Sequence, residues 1–186
     1  MDNNLLSLIK KRRSIRKFKS KKVEQEKIEK IIQAALLSPS SHARYPRQLI
    51  VVDDKKLLFQ LSSSKTYGST FLSNAPLGIV VTADRNLSDA WIEDTSIAST
   101  FIMLTAQWLG LGSCWIQITK RMHSETKTSE EYIREILNVP ENIRVLSIIA
   151  LGYPDEENMP KSKNRLKYES VFYNSFGKIL NGKFSE

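Results

Sequence analysis

Residues Asp94–Leu109 read DTSIASTFIMLTAQWL, and after the break GLG at 110–112 the chain continues as SCWIQI, Ser113–Ile118. The first run carries Ile97, Phe101, Ile102, Met103, Leu104 and Trp108 on nearly every face of a helix. A helix that is apolar all round is buried all round. A chain of 186 residues has few elements with which to bury it. A second surface is therefore expected over this helix, and another copy of the same chain is the simplest supplier. Gly110 and Gly112 stop the helix, and the apolar run after them reads as a buried strand.

Outward from this centre, helices and strands alternate. Thr128–Leu137, TSEEYIREIL, opens with Thr128 and Glu131 at capping-box spacing, and Arg144–Pro154, RVLSIIALGYP, is the last strong strand. On the other side lie the strands QLIVVDD (Gln48–Asp54) and LGIVVTA (Leu77–Ala83), with a short helix, KKLLFQLSSS, between them. Two helices precede these. One places Leu5, Leu8 and Ile9 at helical spacing before a basic last turn; the other places Ile28, Ile31, Ile32, Ala35 and Leu36, and Pro39 ends it. Beyond Pro154 the chain is polar and basic, with too few core residues for a further domain. Residues 1–186 read as one domain, with 155–186 as an arm wrapping the body or a partner subunit.

Composition narrows the function classes. Twenty-eight Lys and Arg against twenty Asp and Glu leave a formal charge of +8, which favours an anionic ligand or partner. The single cysteine, Cys114, permits no intrachain disulfide and reads as a packed thiol. His42 and His123 lack companions at metal-ligand spacing, so no metal site is expected. The N-terminal charge follows a short apolar patch, the wrong order for a secretory signal, and no apolar run approaches the ~20 residues of a membrane span. A soluble cytoplasmic protein is expected.

No GxGxxG, Walker or GxSxG sequence is present. The acidic clusters Glu93–Asp94, Glu130–Glu131 and Asp155–Glu157 read as helix starts or solvated turns rather than as catalytic carboxylates. If the chain is an enzyme, a cofactor carries the difficult chemistry.

Five stretches, in order, bear on which cofactor. They are RRSIRKF (Arg12–Phe18), AALLSPSSHARYPRQLIVVDD (Ala34–Asp54), NAPLGIVVTAD (Asn74–Asp84), the Trp91–Ile118 run followed by IRVLSIIALGYP, and the basic KSKNRLKYESV (Lys161–Val171). Together they resemble the nitroreductase family of FMN-dependent NAD(P)H oxidoreductases. The resemblance implies an α+β fold: a three-layer α/β/α sandwich with a central, mainly antiparallel sheet and a C-terminal arm wrapping the dimer partner. It implies a homodimer with FMN at the subunit interface, NADH or NADPH as electron donor, and small-molecule acceptors such as nitroaromatics, quinones or flavins. No catalytic side chain is implied, because the chemistry is centred on the flavin.

The residues agree with an FMN site. Guanidinium groups match phosphate oxygens bidentately. In an extended segment Arg12, Ser14 and Arg16 project to one side, and Arg13 and Ile15 to the other. The resemblance implies that Arg12 and Ser14 meet the phosphate and ribityl end with Arg13 close by. Arg16 would reach the N1/O2 side of the ring, and Lys163 and Arg165 would return to the phosphate from the arm. It also implies that Pro39, Ser40 and Ser41 form a small-residue turn contributed by the second subunit. The stretch Trp115, Ile116, Gln117 and Ile118 would run beside the ring, its backbone near N5. After that turn many relatives read Asn-x-Gln-Pro-Trp, where this chain has Ala43, Arg44, Tyr45, Pro46 and Arg47; Arg44 is the residue left to supply a ring contact. The loop KTYGSTF shows no obvious Asn/Lys pair for the pyrimidine edge. Lys10, Lys11, Lys17, Lys19, Lys21 and Lys22 read as a solvated basic face.

Two other readings stand beside this one. A flavin-binding protein with little turnover follows from the departures at Ala43 and Tyr45. A nucleic-acid-binding module built on Lys10–Lys22 is opposed by the lack of interleaved aromatics and of any recognised nucleic-acid motif.

Overall fold

The computed structural model describes residues 5–157 and 166–179. Four strands, β1 (Arg47–Val52), β2 (Leu77–Asp84), β3 (Gly112–Gln117) and β4 (Ile143–Gly152), form one sheet in the order β1-β2-β4-β3. Every neighbouring pair is antiparallel. The central strands β2 and β4 are buried along almost their whole length, which accounts for their unbroken apolar sequence. Among the described residues five α-helices accompany the sheet: α1 (Leu5–Lys11), α2 (Gln25–Leu36), α3 (Lys55–Ser62), α4 (Trp91–Trp108) and α5 (Ser129–Leu137).

The side-chain period of two divides each central strand between two cores. Leu77, Ile79 and Val81 of β2, with Ile149 and Leu151 of β4, pack with Ile28, Ile31 and Ala35 of α2 and Ile102 and Ala106 of α4. Val80, Ile148 and Ala150 face the other way, toward Leu58 and Leu61 of α3 and Ile133 of α5. Helices therefore cover both faces, and the three-layer α+β architecture follows. A bulge sits in the middle of the sheet: Val81 opposes Ser147 while Thr82 opposes Val145, leaving Leu146 as the extra residue.

Helix ends follow local chemistry. Asp54 caps α3 by accepting from the N–H groups of Lys56 and Leu57. Thr128 and Glu131 form the expected capping box, and Asn138 closes α5 in the left-handed conformation. Glu130 does begin a helix, but it is not solvated. It is buried, its two oxygens accept from Arg144 at 2.7 and 2.8 Å, and one also accepts from the Val145 N–H.

The sequence places α4 at Asp94–Leu109 and buries it all round; within one chain it begins at Trp91 and is covered on one side only. Its buried face is lined by small residues, Thr95, Ala98, Ser99 and Ala106, together with Ile102. Ser99 Oγ meets Ser147 Oγ at 3.3 Å beneath it. Ile97, Phe101 and Trp108 are exposed, Trp108 by 61%. Helix α1 packs against α4 yet buries none of its own residues, and Leu5, Leu6 and Ile9 extend the same uncovered apolar surface. In the arm, residues 166–179 likewise expose Leu166, Val171, Phe176 and Ile179. Among the described residues no helix is long and apolar enough to cross a membrane.

One irregular segment matters as much as any helix. After α1 the chain runs beside the start of β3, with a parallel bridge between Ser14 and Ser113 and an Ile15 N–H to Ser113 carbonyl bond of 3.0 Å. It continues alongside the exit of β4, where Phe18 bridges Pro154 and the Lys19 N–H donates to the Tyr153 carbonyl at 2.9 Å. Ile15 is buried against Gly112, where an added Cβ would lie 2.8 Å from Ile15 carbons. Gly112→Ala should therefore displace this segment and destabilise the protein by about 1–3 kcal/mol, as overpacking does. Urea denaturation would show a lowered midpoint; an unchanged midpoint would mean that the segment does not depend on this contact.

Candidate functional site

Alternation along the extended segment sorts its side chains as the sequence implies. Arg12, Ser14 and Arg16 all lie close enough to Cys114 to pull its thiol pKa down. Arg13 goes the other way. It lines a separate groove with Gln107, Gly110, Gly112 and Glu156. Cys114 is 2% exposed, and burial pushes its thiol pKa up against the opposing pull of Arg16, Ser14 and Arg12. It is a neutral packed thiol at the floor of a basic surface.

Two cations join this surface that sequence reasoning did not find. Lys65 is held below the usual lysine range, first by burial and then by Arg121, and it also feels Cys114. The loops carrying them are tied together: Thr66 N–H and Oγ1 both donate to the Met122 carbonyl at 3.2 Å. His123 Nδ1 lies 2.7 Å from the Ser63 carbonyl, with its ring stacked on Tyr132. Fifty-six residues separate Lys65 from Arg121 in the chain, so no local signal joins them. Among the described residues none of Arg12, Arg16, Lys65 and Arg121 forms a salt bridge with a carboxylate.

The stretch Trp115–Ile118 lies at the free edge of the sheet, since β3 pairs with β4 on one side only. Ile116 and Ile118 turn their side chains into the core. Trp115 Nε1 donates to Gln117 Oε1 at 2.9 Å, and Gln117 Nε2 donates to the Thr119 carbonyl at 3.2 Å, which holds both side chains along the edge. The Ser113 carbonyl points away from β4, toward Ile15. By the two-residue period of an antiparallel ladder, the backbone N–H and C=O groups of Trp115 and Gln117 point the same way, past the end of the Ser14 bridge.

The turn Pro39–Ser41 is elsewhere. The Ser41 N–H donates to Asp94 Oδ1 at 2.7 Å, and Ser88 Oγ donates to Asp94 Oδ2 at 2.9 Å, fixing the turn to the first turn of α4. Ser40 Oγ accepts from the Tyr45 N–H. His42, Ala43 and Tyr45 all have positive φ, strained backbone that clusters at functional turns. Arg44 pairs with Asp89 at 3.1 Å at this same end of α4. Arg47 is buried, donates to the Leu36 carbonyl and stacks on Tyr45. Helix α4 has 18 residues, about 27 Å of rise, and the Arg12–Arg16 segment lies beyond its other end. One chain therefore does not bring Pro39, Ser40, Ser41 and Arg44 together with Arg12, Ser14 and Arg16. Lys163 and Arg165 lie outside the described residues.

Comparison with known proteins identifies the family and the fold. The nitroreductase family model matches residues 9–67 and 55–153. An FMN-dependent nitroreductase of Clostridium difficile is 49% identical and superposes with a TM-score of 0.91, over 92% of this chain and 99% of that one. An NADPH:FMN oxidoreductase of Vibrio harveyi, solved with NAD+, is 25% identical with a TM-score of 0.80, over 95% and 79% of the two chains. A curated relative from Archaeoglobus fulgidus, provisionally named NADH dehydrogenase/NAD(P)H nitroreductase, is 41% identical over 171 residues, 89% of this chain and 95% of that protein.

Glu156 braces the basic segment. Its Oε1 accepts from the Arg16 N–H at 2.5 Å and from the Lys17 N–H at 3.1 Å. The Arg16 bond is the largest of the influences that depress its pKa from the ordinary 4.5. A depressed folded-state pKa contributes stability above the unfolded value and loses it as pH falls through the folded one. Glu156→Gln should lower the thermal midpoint at pH 7. The gap from the native chain should then close as the pH drops below 4.5 toward the lower folded value. A gap independent of pH across that window would show that the carboxylate charge is not what holds the segment.

Proposed function

The chain belongs to the nitroreductase family, and we propose that it is a homodimeric FMN-dependent NAD(P)H oxidoreductase with one FMN at each of two equivalent subunit interfaces. The observation that carries this reading is the set of cations around Ser14 that form no salt bridge among the described residues, set against a free strand edge. FMN brings a doubly charged phosphate and a flat polar ring; unpaired guanidinium groups fit the first, and outward-facing backbone amides fit the second. When bound, FMN supplies hydride chemistry, accepting from NADH or NADPH and donating to a nitroaromatic, quinone or flavin acceptor in a ping-pong sequence.

The chain's own residues bind and orient. Arg12 and Ser14 hold the phosphate end. Arg16 and Lys65 keep positive charge on the ring side, where it favours a reduced, anionic ring over an oxidised one. The β3 edge at Trp115 and Gln117 orients the ring, and the buried Cys114, Ile116 and Ile118 keep water from behind it. No side chain need carry a proton, because an open site receives protons from solvent.

The dimer reading rests on α4. Half of the expected site lies at each end of this helix, and the exposed Ile97, Phe101 and Trp108 run between. Two copies of α4 packed antiparallel about a twofold would cover that apolar face. They would also carry Pro39, Ser40 and Ser41 of one subunit to the Arg12–Arg16 segment of the other. Sedimentation at micromolar concentration should show a dimer that loses flavin when it dissociates; an FMN-saturated monomer would overturn the interface site.

A second measurement tests the phosphate contact. Arg12→Ala should weaken FMN binding by about 1.5–3 kcal/mol, the worth of a charge-assisted contact. Lys19→Ala, on the same basic stretch but exposed, should leave it unchanged. Lys21 would not serve as a control, since it pairs with Glu24 at 3.1 Å and lies over the Tyr153 ring. Flavin-fluorescence titration measures both variants, and equal losses would reduce the site to a diffuse cationic patch.

A further inference from the structure

Where β3 ends, Lys120, Arg121 and Met122 wall a cavity of about 530 Å³ together with Trp91 and Ile92 at the start of α4. Glu130 is the one acid on its lining, and it is already committed to Arg144 and to the Val145 N–H. The Glu130–Arg144 pair cancels, which leaves the cavity with the charge of Lys120 and Arg121. Among the described residues neither side chain has an ion-pair or hydrogen-bond partner. Arg121 is moreover held close enough to Lys65 to disfavour the latter's charge. Like charges kept together on one wall raise the local potential, and an anion relieves it. The apolar part of the wall is the Trp91 indole, with the Arg144 guanidinium 5.3 Å from its centre, together with Ile92 and Met122; Thr119 and Thr128 complete the lining.

We propose that this cavity receives the electron acceptor, and that it selects a flat aromatic acceptor bearing an anionic substituent, such as a carboxylate or sulfonate, over a neutral one. The inference rests on the oxidoreductase reading above, because Thr119 and Lys120 directly follow the strand edge assigned to the ring. For a quinone the reaction balances as NAD(P)H plus one solvent proton plus quinone giving NAD(P)+ plus hydroquinone. The cavity adds no reactant to it; Lys120 and Arg121 bind the substituent, and Trp91 receives the ring face.

The test is binding first and turnover second. Quenching of tryptophan fluorescence by an anthraquinone sulfonate and by neutral menadione is measured for the native chain and for a Lys120→Gln variant, which leaves Arg121 and the cofactor surface untouched. The backbone bonds of this turn, Arg121 N–H to the Ile118 carbonyl and Ser129 N–H to the Arg121 carbonyl, do not involve the replaced side chain. The sulfonate should bind at least about tenfold more weakly to the variant, while menadione binding is unchanged. With FMN and NAD(P)H present, KM for the sulfonate should rise by a similar factor at constant kcat, and menadione reduction should be unaffected. Equal sulfonate binding by both proteins, or equal losses for both quinones, overturns the proposal. If the variant loses sulfonate binding alone but the native protein reduces neither quinone, the anion-selecting cavity stands and the oxidoreductase reading fails.

Discussion

Ile15 lies where Gly112 has no side chain, and the basic surface depends on that contact. Because the Arg12–Phe18 segment can approach the first residue of β3 so closely, it adds to the sheet edge as a short parallel neighbour. Its alternation is thereby converted into two sets of side chains with different fates. Arg12, Ser14 and Arg16 gather over Cys114, while Ile15 is spent on the core and Arg13 enters another groove. Glu156 and Tyr153 brace the segment from the opposite side through backbone hydrogen bonds, which hold regardless of the side chains it carries. A flexible basic arm would spread its charge; this segment concentrates it.

Charge bookkeeping separates the structural cations from the rest. Arg144 is matched bidentately by Glu130, Lys21 and Lys27 surround Glu24 and Tyr153, and Lys127 pairs with Glu135. Tyr153 and the neighbouring lysine hold Glu24 at a pKa of about 2, with the tyrosine hydroxyl the larger influence. These cations are answered inside the chain. Among the described residues Arg12, Arg16, Lys65, Lys120 and Arg121 form no salt bridge, and they run from the segment beside β3 to the turn that follows it. A protein keeps like charges together at some cost in stability, and the usual return is an anionic ligand.

Helix α4 combines two roles that pull its composition in opposite directions. Toward the sheet it must approach closely, so it presents Ala98, Ser99 and Ala106. On the far side it carries Ile97, Phe101 and Trp108, which water would not select. Its first turn anchors the strained Pro39–Tyr45 turn through Asp94, and its last turn leads into the glycines that admit Ile15. The same helix thus fixes the spacing between the Pro39–Tyr45 turn and the Arg12–Arg16 segment.

Much of this was legible in the amino-acid order. The four strands, the five helices, the capping box at Thr128 and the alternation of Arg12, Ser14 and Arg16 follow from periodicity and cap chemistry, which act over a few residues. So did the need for a cover over α4, because an apolar surface without a partner is visible in composition alone. What the sequence could not state was which charges are left over. Glu93–Asp94 and Glu130–Glu131 look alike on paper, yet Asp94 holds a turn, Glu130 is buried against Arg144, and Glu93 and Glu131 are not buried. Lys65 and Arg121 are ordinary loop residues until two connections fold across one another. Pairing is a long-range property, set by distances through space, so the tertiary structure alone decided which cations were neutralised and which were left to meet a ligand.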